Sequence, residues 1–225
     1  MRARLRRLIQ VAVVGFVVLT GAAMWAYPGG HVFQTQAPGH HLLYNFLCDL
    51  MDPRAINGQP NLVSSTLMVS AFCVVYFLGL LPSWWCVPSL FSRRRWVVWM
   101  VRGAGVLSLL GIFALFLSGV GSLAISHDLA TFLAAIPGIV ATFMVVAITV
   151  RDRLTTWWFS LSSAAMLLAA TLDALLYLRV VWFEDALTPI VPALQRVAMV
   201  LILVWLLQLA REVRPEEEQQ TDPRS

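Results

Sequence analysis

The chain has no lysine, only 12 acidic residues and three cysteines among 225 residues. Charged residues make up 12% of it, against roughly 25% in a typical soluble protein. Hydrophobic residues make up 59%, so a water-soluble domain of this size could not cover its core. The same figures exclude disorder, which needs low hydrophobicity and high charge. Because all 16 basic residues are arginine, the missing lysine reads as a codon bias toward G+C, and the net charge of +4 does not indicate a nucleic-acid partner. Cys48, Cys73 and Cys86 form no paired framework of the secreted kind. Cys73 lies in an apolar segment and reads as a small core hydrophobe. There is no internal repeat, which leaves an inverted-repeat transporter without support.

What is present is long apolar runs. A membrane helix needs about 20 mostly apolar residues. Six stretches qualify, near Leu8–Tyr27, Leu62–Leu81, Trp96–Ser118, Leu129–Val150, Leu154–Leu178 and Ile190–Ala210. The expectation is an all-α, six-span membrane domain over residues 1–210, with a polar, disordered cytoplasmic tail over 211–225. The first run follows Arg2, Arg4, Arg6 and Arg7, but it exceeds the 7–15 residues of a cleavable signal, so it reads as a retained first helix. Ala134, Gly138 and Thr142, and Ala165 with Ala169, place small residues one turn apart and predict close helix packing.

The arginines give an orientation. Arg2–Arg7, Arg93–Arg95, Arg151 with Arg153, and Arg211 with Arg214 fall on alternate sides of consecutive spans, while the opposite loops hold only Arg54 and Arg179. By the positive-inside rule both termini are expected in the cytoplasm of a cell whose plasma (inner) membrane the chain spans. All four histidines (His31, His40, His41, His127) and Asp49, Asp52, Asp128, Glu184 and Asp185 then fall outside. Asp152 and the acidic run Glu216–Glu218 fall inside.

The first outer loop carries a pattern of its own. Leu42, Leu43, Phe46, Leu47, Leu50 and Met51 share one helical face, and His41, Asn45, Asp49 and Asp52 share another. Pro38-Gly39 precedes the run, Pro53 stops it, and Asn57-Gly58 turns the chain. A short amphipathic helix over His40–Asp52 at the outer mouth is the expectation.

Two charges lie within spans, Asp173 and Arg196, at similar expected depths. They form either a buried pair or part of a wet polar pocket. Arg102 is expected to reach back to the inner interface, and Asp128 to cap the fourth span.

Tyr27-Pro28-Gly29-Gly30, the run Asn45-Phe46-Leu47-Cys48-Asp49-Leu50 and the lone His127 resemble the bacterial six-span family called domain of unknown function 998. That family is similar to the Frag/damage-regulated autophagy modulator group. The resemblance covers most of the chain and implies the architecture without an activity. Cys48 stands where the family pattern leads one to expect serine.

The site expected from these readings is one outward pocket of His41, Asn45, Asp49 and His127, floored by Asp173 and Arg196. It would bind a lipid headgroup or membrane partner without catalysis or cofactor, with Arg54 and Arg196 available to an anionic headgroup. A second reading is a zinc-dependent lipid hydrolase. Gly119, Gly121, Ser122 and His127 are loosely similar to the Ser/His motif of alkaline-ceramidase-type hydrolases. His40, His41 and His127 would ligate the metal, with Asp49 as base or fourth ligand. Adjacent histidines on a helix diverge, however, and the sixth span lacks the further histidines of those hydrolases. A third reading is a proton-coupled transporter using Asp173 and His127.

Overall fold

The computed structural model describes residues 1–92, 94–119, 126–151, 156–183 and 186–213. Its helices are α1 (Arg2–Ala26), α2 (Leu62–Val74), α3 (Leu81–Phe91), α4 (Arg95–Gly119), α5 (His127–Arg151), α6 (Trp157–Trp182) and α7 (Ile190–Glu212). A π-helical segment, Val75–Leu80, joins α2 to α3, so these make one rod over Leu62–Phe91. Six helices in all are long and apolar enough to cross a membrane. Each predicted span overlaps one of them. Arg93, Gly121, Ser122, Asp152, Arg153, Glu184, Asp185, Arg214 and the 214–225 tail lie outside the described residues.

The second span runs ten residues past its expected end. Pro82 has no N–H to donate, which in an α-helix would end or kink the rod. Here the ladder has already slipped to the wider register: the Leu81 N–H donates to the Tyr76 carbonyl, and the Ser83 hydroxyl takes the Gly79 carbonyl at 2.7 Å. Gly79 also lets three helices meet, since a Cβ there would lie 3.3 Å from both Ala12 and Leu206.

Two groups of helices form the bundle. The larger core joins α1 (Ile9, Val13, Phe16), the rod (Met68, Ala71, Val75) and α7 (Trp205, Leu206, Leu209), all buried. The second, Ile112, Ala114 and Leu115 against Ala130 and Ala134, clamps α4 to α5. The small residues act as expected on the α4 side. A Cβ on Gly111 would collide with the Ala134 backbone, and the Ser108 hydroxyl donates to the Ala134 carbonyl at 2.6 Å. At the end holding the start of α1 and the end of α7, Thr156 Oγ1 donates to Glu212 (2.8 Å), and Ser162 donates to Gln208 (2.6 Å), zipping α6 to α7. Arg102 reaches from α4 to the Trp85 carbonyl (3.1 Å) and the Ser89 hydroxyl (2.7 Å), with its guanidinium over the Trp85 ring.

The other end is closed by residues 27–61. Strands β1 (Gly29–His31) and β2 (Gln34–Pro38) pair antiparallel, the only strands among the described residues. The glycines permit this. Gly29 and Gly30 have φ of 139° and 87°, and a Cβ on Gly30 would lie 2.6 Å from the Asn57 nitrogen.

The expected amphipathic helix over His40–Asp52 is absent. Turns and a single 3₁₀ turn, Cys48–Leu50, stand in its place. The cause is competition by the side chains. Asn45 Oδ1 accepts the His41 N–H (2.9 Å), and Asp49 Oδ2 accepts the Phe46 N–H (2.8 Å). Gln195 of α7 accepts the Leu47 N–H (2.8 Å). Donors a helix would use are therefore taken from outside its ladder. Leu42 and Leu43, assigned to the apolar face, are exposed, and Asn45, assigned to the polar stripe, is fully buried.

Candidate functional site

The six residues expected in one pocket divide between two places. The first is a hydrogen-bonded cap at the loop end. Asn45 is its hub: besides accepting from His41, its Nδ2 donates to the Gly30 carbonyl (2.8 Å) and to Asp49 Oδ2 (3.1 Å). Arg196 closes the network from α7. One guanidinium nitrogen donates to the Asn45 carbonyl and, at 3.2 Å, to the Pro192 carbonyl. The other lies 2.9 Å from His40 Nε2. A guanidinium only donates, so His40 Nε2 accepts and carries no proton. Burial, followed by the charge of Arg196 and then His41, pushes His40 down to about 4. Burial raises the Asp49 carboxyl, while the bonds from Asn45 and Phe46 pull it back. Below this layer, Asn61 Nδ2 donates to the Asp52 carbonyl (2.8 Å), and the Ser64 and Ser65 hydroxyls donate to the Leu50 and Met51 carbonyls. The 3₁₀ turn is thereby latched to the start of α2.

His41 does not face a pocket. Its ring is exposed and stacks on Tyr44, centroids 4.2 Å apart, beside the buried His31, whose pKa burial lowers. His127 stands apart at the start of α5, its Nδ1 3.8 Å from Asp128 Oδ1 and both side chains more than two-fifths exposed. Asp128 is a cross-helix tie rather than the expected cap: it accepts the Tyr177 hydroxyl at 2.7 Å, and Ser126 caps α5 by accepting the Leu129 N–H.

The metal geometry fails for the same reasons. His40 is committed to Arg196, His41 is stacked outward, and Asp49 is bonded to Asn45. Among the described residues no three His, Cys, Asp or Glu side chains are grouped to hold a metal ion.

The second place is a cavity of about 220 Å³ between α5 and the α6–α7 pair. Phe46, Leu47, Cys48 and Met51 of the cap cover it, and His127 stands at its rim. Small residues hollow it out: Ala135 and Gly138 on α5, Ala170 and Ala174 on α6, and Ala198 on α7. Trp84, Thr142 and Trp205 line its deep part, with the Trp84 indole N–H donating to Thr142 (3.1 Å). Thr142 and Trp205 each lie fifteen residues along their helices from the loop end, about 22 Å down.

Asp173 lies in the wall of this cavity. It does not pair with Arg196. Because α6 continues to Trp182, Asp173 is nine residues from the loop end, about 14 Å, while Arg196 is six residues from it, about 9 Å. Arg196 turns up toward the cap instead. The Asp173 carboxylate has no hydrogen-bond or ion-pair partner among the described residues, and no arginine lines the cavity there.

Sequence reading missed this cavity because alanines lining a void and alanines packing a helix look alike. It also missed two sets of exposed aromatics. Trp25, Trp182 and Phe183 stand at the loop end, and Trp96, Trp99, Trp157 and Trp158 at the termini end. No family model matches this chain, and searches of the curated proteins and of the solved structures find no match.

Proposed function

We propose that this chain is a multi-pass membrane protein that holds an amphipathic, lipid-like molecule in the cavity between α5 and α6–α7, without catalysing a reaction. The observation that carries this reading is the cavity itself, apolar along most of its wall and containing, among the described residues, one carboxylate with no partner. Ligand sites of this kind combine an apolar lining with a few polar groups that fix orientation.

Several features support the membrane. The outward faces of the helices carry Val11, Val14, Val18, Leu161, Leu168 and Leu175, all exposed. That is far more apolar surface than a soluble monomer shows. On α6, Trp158 and Trp182 are 24 residues apart, about 36 Å, which suits two aromatic belts flanking a hydrocarbon core of roughly 30 Å. The arginine pattern supports cytoplasmic termini in a bacterial inner membrane, with the cap outside. The resemblance to domain of unknown function 998 belongs to the same proposal and rests on its motif residues. In this reading the partner is membrane lipid, and the anionic-headgroup role first given to Arg196 is given up, since Arg196 is engaged in the cap.

The test is lipid extraction and mass spectrometry on the protein purified in mild detergent, beside an Ala170→Phe variant that fills the cavity. One enriched species that is lost in the variant is the expected result. Identical lipid profiles for the two proteins would refute the site. Reporters fused near Arg153 should read cytoplasm and those within residues 28–61 outside; the reverse would refute the orientation.

A further inference from the structure

The cavity places its polar groups unevenly, and this limits what can occupy it. Tyr177 donates its hydroxyl hydrogen bond to Asp128, Gln195 Oε1 accepts from the Leu47 N–H, and Thr142 accepts from Trp84. These bonds engage the Tyr177 hydroxyl proton, the Gln195 carbonyl oxygen and the Thr142 hydroxyl inside the protein and leave the uncharged Gln195 amide N–H groups available. Asp173 is the one carboxylate lining the cavity among the described residues, and none of those residues hydrogen-bonds or ion-pairs with it. The nearest candidate in sequence logic, Arg196, is held by His40 and the Asn45 carbonyl. His127 is at the rim, beside its own carboxylate, Asp128.

A carboxylate removed from water keeps its charge only if a cation or strong donors reach it, and otherwise takes up a proton. Depth adds a second restriction. Asp173 sits about 14 Å below the loop end, with a mostly apolar wall continuing beneath it to Trp205, whose indole N–H has no partner among the described residues. A ligand that satisfies both wall and carboxylate carries its charge at one point and an apolar body beyond it.

We infer that the cavity selects a lipophilic amine, a molecule with one protonated nitrogen on an apolar chain, and that Asp173 is the residue recognising the nitrogen. This rests on the proposed reading of the cavity as a ligand site. The nitrogen donates to the Asp173 carboxylate, and the chain lies along Ala170, Met166 and Trp205. Anionic amphiphiles are excluded by the same carboxylate, and neutral ones gain the apolar contact alone. No bond is made or broken.

Native mass spectrometry of the full chain in a non-ionic detergent tests this, with dodecylamine, dodecanol and dodecanoate as probes at neutral pH, where the amine is protonated. The expected result is one dodecylamine per chain, bound about tenfold to a hundredfold tighter than dodecanol, with dodecanoate weakest. Asp173→Asn should bring the amine down to the level of the alcohol, and Asp173→Glu should keep the preference. Equal binding of amine and alcohol by the unmodified protein overturns the inference even if Asp173→Asn does not fold. So does a preference that survives Asp173→Asn. Those outcomes leave the cavity itself as a site, provided Ala170→Phe abolishes all three probes. If no probe binds the unmodified protein, or Ala170→Phe changes nothing, the underlying reading falls as well.

Discussion

In the cap, Arg196 is bonded to the Asn45 carbonyl and to His40, and Asn45 is bonded to three further groups. In the cavity below, Asp173 has no hydrogen-bond or ion-pair partner among the described residues. Both regions bury polar side chains among apolar ones, at neighbouring depths of the same bundle. The first returns most of the hydrogen bonds that burial removes, leaving Arg196 Nε, His31 Nδ1 and Asn61 Oδ1 without one among the described residues, so it behaves as structure. The second leaves one charge unanswered, so it behaves as a place kept for something else. Clustering of polar residues in a membrane-type sequence is therefore a poor guide to function unless the partners are counted.

Asn45 offers the hardest way to break the contrast. Asn45→Ala would leave the buried Gly30 carbonyl and the part-buried His41 N–H without partners, at about 1–3 kcal/mol for the buried group and less for the other. A total loss of about 3 kcal/mol in a denaturation titration of the detergent-solubilised protein is expected. A loss under about 1 kcal/mol would mean the hub is dispensable.

Arg196→Met should come next, at about 2 kcal/mol, since it removes charged donors from the cap while filling similar space. The same titration of Asp173→Asn, with no ligand added, should move stability by less than about 0.5 kcal/mol. Equal losses for the two variants would show that cap and cavity are one network.

The third prediction concerns pH. His40 is neutral in the folded cap and titrates at about 4, whereas an unfolded histidine titrates near 6.5. The unfolded chain therefore takes up the proton first, and stability contributed by neutral His40, complete above pH 6.5, is lost as pH falls toward about 4. Asp49, raised by burial, works in the opposite sense at the acid end. His40→Gln keeps an acceptor for Arg196 without titrating. Its melting temperature should fall less than the parent's between pH 6.5 and 4.5; parallel curves would remove His40 from the account.

Filling the cavity should have the smallest effect on stability. Ala170→Leu adds apolar contact where there is space, so its melting temperature should be unchanged or slightly raised. A fall of several degrees would mean that the wall is already packed.

The helices were legible because lipid-length apolar runs need no long-range information. Their limits were less so. Pro82 reads as a stop, and only the register slip at Val75–Leu80 carries the rod through it. The cap was misread for an instructive reason. The four-residue spacing of His41, Asn45 and Asp49 is that of a helix face, and also that of a turn whose backbone donors bond side chains three and four residues ahead. What separates the two is Gln195 and Arg196, about 150 residues later. The Tyr27–Gly30 motif gains a cause only with the hairpin in view, where Gly29 and Gly30 pass beneath Asn57. Asp173 and Arg196 were brought to one depth by ending the fifth span at Leu178; one further turn of α6 separates them.

The reach of Arg196 and Gln195 from α7 back to residues 40–47 also sets an order of assembly. A chain synthesised from its N-terminus completes the 27–61 segment while α7 is still unmade. Until the last helix arrives, His40, the Asn45 carbonyl and the Leu47 N–H have no partners from α7, and the roof of the cavity is unfastened. Closing the cap is then among the last events of biogenesis. A chain stopped before Ile190 would expose that unfastened segment to proteases from which the finished protein shields it.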